Sequence, residues 1–271
     1  MMNKNQIKSL DHNKTANFWN NLDDKVQGEY SVNYLMQKKH ELLAIHRFKR
    51  DINFIVSNLP LKKRRLLDLA CGSGNYLRKL APLFTYSEGI DNSKLFVKTA
   101  RKRFAKTKTI KIRLENIINC KLLGKFDLII IGEVFLYLDD IDLLNLLKKV
   151  RKHMNKNSVI TLRESVINKH DIIHNRGEHK SIRRTLSHYK KLFKTSGLKI
   201  KKLESNYDYN YAWIAALPLN FFPFFLRSEK FINFYMNNPV TRFCFLRLPF
   251  LFFTFIKPNY ISQYYFLLRK K

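Results

Sequence analysis

Acidic residues are scarce in this chain. Its 271 residues hold 21 Asp and Glu against 51 Lys and Arg, a formal charge of +30. An excess of that size favours RNA, an anionic membrane or a phosphorylated substrate. Lys, Asn and Ile are also abundant throughout, as an AT-rich coding sequence would give, and then the charge needs no partner. Cysteine is scarcer still. Cys71, Cys120 and Cys244 are far apart, odd in number and without metal-ligand spacing, so neither a disulfide framework nor a metal site is expected. No apolar run reaches the ~20 residues that span a bilayer. The nearest, 211–226 and 243–256, are broken by Pro218, Asn220 and Pro223, and by Arg247 and Pro249. The start MMNKNQIKSLDHNK is too polar for a secretory signal. The expectation is a cytoplasmic protein, with peripheral attachment at the inner membrane face left open. No internal repeat is visible.

What is present is an apolar share of 45%, enough for a buried core. Four parts follow one another. Residues 1–60 read as a helical cover, stopped by Pro60. Residues 61–206 alternate strand and helix. Strands are expected at 66–70, 86–90, 110–114, 126–131, 158–162 and 198–203. Helices are expected at 72–83, 93–106, 141–153 and 185–196, the last closed by Gly197. Residues 166–184 read as a polar loop. Residues 207–260 form an aromatic-rich insertion, read as helical, and 207–266 hold more than half of the chain's aromatic residues. Residues 261–271 close the core with a last strand. The fold class is α/β: a Rossmann-like, seven-stranded, mostly parallel sheet with helices on both faces.

The chemistry is carried by Leu66-Leu67-Asp68-Leu69-Ala70-Cys71-Gly72-Ser73-Gly74-Asn75. A strand enters a Gly-x-Gly turn that opens a helix. Glycines there let a ligand approach the backbone, and the helix start offers free N–H groups to a carboxylate or phosphate. Asp68, just before the turn, suits an ammonium group. Asp91 stands where the second strand should end, placed to accept hydrogen bonds from two ribose hydroxyls. Glu115 and Asn116 follow the third strand, where a side chain can meet an adenine edge. Glu133 ends the fourth strand at the switch-point crevice.

In that order these segments resemble the class I S-adenosylmethionine-dependent methyltransferases, over about residues 40–205. The resemblance implies that S-adenosylmethionine is the cofactor. Asp68, Ala70, Cys71, Gly72 and Gly74 would hold its methionine end, Asp91 and Asn92 its ribose, Glu115 and Asn116 its adenine, and Glu133 would flank the reaction site. Glu115 departs from the more usual Asp. The cofactor brings an activated methyl group, so alignment supplies much of the barrier reduction, ~7–11 kcal/mol. A base is optional; candidates are Glu133, Tyr137, Glu164 and the histidines at 170, 174, 179 and 188. The segment 162–165, with Arg184 and Tyr189, weakly resembles the acceptor-binding stretch of phosphoethanolamine methyltransferases. That likeness implies that Arg184 pairs with an acceptor phosphate or carboxylate, with Tyr189 beside it.

Three other functions compete. A nicotinamide oxidoreductase needs a third glycine where this chain has Leu77. An RNA methyltransferase would use the positive charge, but Gly132-Glu133-Val134-Phe135 replaces the Asn/Asp-Pro-Pro-aromatic loop of base amino methylation, and no cysteine suits attack on a base carbon. A cofactor-binding protein without turnover is the third. The aromatic insertion favours a small or lipid-linked acceptor. As a lid, an apolar pocket or a membrane patch it would bear on substrate access, and its cations would meet anionic lipid.

Overall fold

The computed structural model describes residues 10–21, 41–175, 180–206, 238 and 261–271. Two helices precede the sheet: α1 (His12–Asn20) and α2 (Glu41–Val56). Asp11 starts α1 by accepting the backbone N–H groups of Asn13 and Lys14, which removes two of the donors a helix start leaves orphaned.

The expected alternation then follows: β1 (Arg65–Leu69), α3 (Asn75–Leu80), β2 (Tyr86–Asp91), α4 (Lys94–Arg103), β3 (Ile110–Leu114), β4 (Phe126–Gly132), α5 (Asp140–Lys152) and β5 (Met154–Ile167). Next come β6 (Ile172–Asn175), β7 (Lys180–Thr185), α6 (Leu186–Thr195), β8 (Leu198–Asn206) and β9 (Ile261–Lys270). Ser93, Asp139 and Thr185 cap α4, α5 and α6 with their side-chain oxygens. Gly197, at φ +76°, follows the last of these as a left-handed stop.

The sheet runs β3-β2-β1-β4-β5-β9-β8. Its first five strands are parallel, and β9 is antiparallel to both neighbours. Two apolar layers cover the faces. Leu143, Leu146, Leu147 and Val150 of α5 pack with Leu192 and Phe193 of α6 on one side. Phe48, Phe54 and Ile55 of α2 pack with Leu77, Leu80, Val97 and Ala100 on the other.

Two differences from the expectation matter. β5 extends to Ile167, and its polar run Arg163-Glu164-Ser165 is buried. The stretch read as a polar loop contains the hairpin β6–β7, whose second strand pairs with the end of β5. Both arise because side-chain partners, not apolar character, stabilise these residues. The insertion 207–260 lies outside the described residues apart from Asn238.

Candidate active site

The carboxyl ends of β1 and β4 flank the point where the strand order reverses, with β2 beyond β1. β1 hands the chain to Ala70 at φ +59° and Gly72 at φ +54°. A left-handed alanine costs about 1–3 kcal/mol, so the turn is held by its surroundings: Cys71 donates its N–H to the Ile90 carbonyl at 3.1 Å. The two glycines have different reasons. A Cβ on Gly74 would lie 2.6 Å from the Phe104 ring, whereas nothing lies within 4 Å of a Cβ on Gly72. Gly74 serves packing; Gly72 borders open space.

Asp91 shapes that turn. Its Oδ2 accepts the Gly72 N–H at 2.8 Å and its Oδ1 the Ser93 N–H at 2.9 Å. Burial pushes its carboxyl up, and the N–H groups of Ser93, Gly72 and Asn92 pull it back in part. Each carboxylate oxygen still has a second acceptor direction. Asp68 is buried with its Oδ2 lacking any hydrogen-bond partner. Burial, then the charge of Asp91, holds its carboxyl well above the usual range. Two carboxylates that destabilise each other, one with an orphaned oxygen, beside an open glycine, fit a ligand carrying an ammonium group and a diol. This donor and acceptor set suits S-adenosylmethionine: Asp68 would take its amino group and Asp91 its ribose.

The residues after β3 behave differently. Glu115 receives Nε and Nη2 of Arg113 at 2.7 and 2.5 Å, and that pairing lowers its carboxyl. Asn116 caps the turn through the Ile118 N–H at 2.9 Å. These side-chain partners are local; what ties the two residues to the crevice is the Glu115 N–H on the Asp91 carbonyl at 3.0 Å. Asn92 is half-buried beside Asp91.

The opposite wall is a polar network. Glu133 sits at φ +52°. Its carboxylate accepts Arg47 at 3.1 Å, Arg163 at 3.2 Å, Ser165 at 3.4 Å and the Gln263 amide. Burial would raise it, but Arg47 and Arg163 win and lower it. Arg163, fully withdrawn from water, also donates to Asp51 at 2.5 Å. Asp51 further accepts the Tyr76 and Tyr265 hydroxyls, each at 2.7 Å. Of these, Arg47, Asp51, Tyr76, Gln263 and Tyr265 were not singled out from sequence. The visible signal was an aspartate on the apolar side of α2 and an arginine inside a strand.

Glu164 and Arg184 fix the loop between β4 and α5. Glu164 is buried; its Oε1 accepts the Val134 and Phe135 N–H groups at 3.1 and 3.2 Å, and Oε2 has no partner. Burial pushes this carboxyl up to about 8. Arg184 is a correction to the expected acceptor contact. It has no exposed surface, and it donates to Asp140 at 2.8 Å and to the Phe135 and Leu138 carbonyls at 2.8 and 2.6 Å. Tyr189, equally buried, packs on Phe193 and Phe266. Neither has exposed surface, and β7 of the hairpin carries Arg184 beneath the loop. His188 is held between Asp140 and Asp171, which raise it to about 9. His170 is exposed, His174 is half-buried, and His179 lies outside the described residues.

Tyr137 is half-buried, and its ring meets Trp19 edge-on at 5.8 Å. Trp19 also contacts Phe96 at 6.2 Å, and its carbonyl accepts the Ser93 hydroxyl at 3.2 Å. Asn20 accepts the Lys94 N–H at 2.7 Å, and His12 pairs with Asp142 at 2.8 Å. Helix α1 therefore spans from the start of α4, beside Asp91, to the loop and helix that follow β4.

A model of a methyltransferase domain matches residues 67–160. No curated protein matches the sequence. Among solved structures, an S-adenosylmethionine-dependent methyltransferase from Leishmania major superposes with TM-score 0.65 at 18% identity, over 95% of this chain and 82% of that one. An O-methyltransferase of a Brevibacillus brevis polyketide synthase, bound to S-adenosylhomocysteine, gives 0.59 at 15%, over 91% and 79%. A Haemonchus contortus phosphoethanolamine N-methyltransferase, with phosphomonomethylethanolamine and S-adenosylhomocysteine, gives 0.59 at 12%, over 88% and 60%.

Proposed function

We propose that the chain, whose residues 67–160 match a methyltransferase domain, uses S-adenosylmethionine to methylate a small acceptor, free or lipid-linked, inside a crevice closed by α1. The observation that supports this is the position of Trp19, between Phe96 on the cofactor side and Tyr137 on the reaction side. A helix laid across both walls favours a small group over a folded polynucleotide.

The cofactor, when bound, supplies the activated methyl group. The protein's own residues hold, orient and dry the site. Asp68 takes the ammonium and Asp91 the ribose; both lose repulsion as a cationic ligand arrives. Glu133, kept anionic by Arg47 and Arg163, fixes the wall beside the acceptor and has few free lone pairs for proton transfer. Glu164 positions the Val134–Phe135 backbone. Tyr137, on the reaction side of Trp19, is the side chain that could orient the acceptor or hold its proton. Alignment in line with the methyl group is worth ~7–11 kcal/mol. The burial of Arg184 removes one anchor for a phosphorylated acceptor of the kind bound by the Haemonchus enzyme.

The test supplies radiolabelled S-adenosylmethionine and cell extract. Label in the aqueous small-molecule or lipid fraction is expected. Label confined to RNA or protein would overturn the proposal.

A further inference from the structure

Exposed cations occur over much of the described surface, and one group of them stands at the end of the sheet opposite the crevice. Among the described residues few carboxylates are open to solvent: Asp11, and the side chains of Glu115 and Glu204 in part. Glu115 and Glu204 are paired with Arg113 and Lys202. One set of exposed lysines lines the entries of the parallel strands. Lys62 and Lys63 precede β1, Lys108 precedes β3, Lys125 precedes β4, Lys156 lies early in β5, and Lys271 follows β9 at the same edge; all are exposed. Contacts tie these segments into one face. The Tyr86 N–H meets the Arg64 carbonyl at 2.9 Å, and Lys125 and Lys270 both donate to the Met154 carbonyl. Lys270 is lowered by burial and then by the charges of Lys125 and Arg151. The two carboxylates reaching this end, Asp127 and Glu88, are buried and engaged. Seven strands side by side make the face roughly 29 Å wide.

The same face carries open aliphatic side chains. Leu61 is 94% exposed, Leu123 55%, Val56 46% and Leu83 43%. Val56 ends α2, and the three leucines sit just before β1, β4 and β2. Helix C-termini attract cations, which explains basic residues at the ends of α4 and α5. It does not explain the cations on the strand entries or the open leucines beside them.

We propose that this amino-end face docks on an anionic lipid bilayer. Lysines around protruding aliphatic groups match a surface that is anionic at the headgroups and apolar just beneath. A polynucleotide would be met by stacking aromatics among the cations, and among the described residues no exposed aromatic lies here. Docking this way leaves the carboxyl ends of the strands facing water. Of the acceptors in the proposed function, it selects one delivered from the aqueous side.

The experiment sediments the full chain with vesicles of phosphatidylcholine alone or with added phosphatidylserine. The protein is expected to pellet with the anionic vesicles only. The combined Lys62→Glu, Lys63→Glu, Lys108→Glu and Lys156→Glu variant should lower the bound fraction roughly tenfold or more. The Leu61→Asn, Leu123→Asn variant should lower it several-fold and make the remainder fully reversible by salt. S-adenosylhomocysteine binding, unchanged in both, shows that each is folded and keeps this test separate from that of methyl transfer. Equal pelleting with neutral and anionic vesicles overturns the proposal, as does wild-type pelleting of the charge-reversed variant. An RNA oligonucleotide that binds this face in preference to the vesicles overturns it in favour of nucleic acid.

Discussion

The two ends of the sheet are chemical opposites. At the carboxyl ends, Asp68, Asp91, Glu133 and Glu164 are gathered and largely taken from water. At the amino ends, Lys62, Lys63, Lys108 and Lys156 stand open to it. The net charge of +30 therefore describes the outside of the protein and misdescribes its site. Positive charge overall suggests an anionic ligand; the site's own carboxylates select a cationic one.

That contrast can be broken first at its most buried charge. Replacing Arg163 with Met leaves Asp51 and Glu133 without their shared cation. A buried pair broken on one side costs about 3–5 kcal/mol, so chemical denaturation should show the largest stability loss of any substitution here. Next is Asp91→Ala. It removes two backbone acceptors and the proposed ribose contact, with charged hydrogen bonds worth roughly 1.5–3 kcal/mol each. Calorimetry should find S-adenosylhomocysteine bound about a hundredfold more weakly or not at all.

Glu164 sharpens the contrast through pH. Its folded carboxyl, at about 8, lies above the unfolded value of about 4.3. The folded state therefore binds the proton more tightly. Stability from this group is fully present below about pH 4.3 and is lost as pH rises through about 8. Glu164→Gln should leave melting nearly unchanged in acid, raise it increasingly between about pH 4.3 and about 8, and give a constant difference above that. His188, raised to about 9, loses its contribution over a higher window, from about 6.5 through about 9. Both proteins share that loss, so their difference isolates Glu164. The smallest effect belongs to Trp19→Ala. Its ring contacts with Phe96 and Tyr137 are worth about 0.5–1.5 kcal/mol each, and stopped-flow measurements should show the cofactor leaving several-fold faster with little change in fold stability.

The parts legible in sequence were those set by period and turn chemistry. β3 has the expected bounds, and the Gly-x-Gly turn and the helix capped by Thr185 fall where apolar spacing and glycine put them. Asp68 and Asp91 stand out in sequence because a carboxylate within or at the end of a buried strand has few structural reasons to be there. The Asp51–Arg163–Glu133 network was not, since its members come from α2, β5 and β4 and only the fold makes them neighbours. Arg184 misled for a related reason. A basic residue after a polar stretch reads as surface, yet the hairpin carries it inward to three acceptors.

The pairing of Asn206 with Gln263 has a consequence for modularity. β8 and β9 are adjacent antiparallel strands, and their facing ends bracket residues 207–260. Asn206 and Gln263 stand about one strand spacing apart, ~5 Å, so the sheet would close as well over a turn of a few residues between them. Shortening that segment to such a turn should relieve about 2 kcal/mol of loop-closure entropy. The sheet can thus be read as a chassis: the chain between β8 and β9 can be changed in length or sequence while the strands that carry the cofactor residues stay in place.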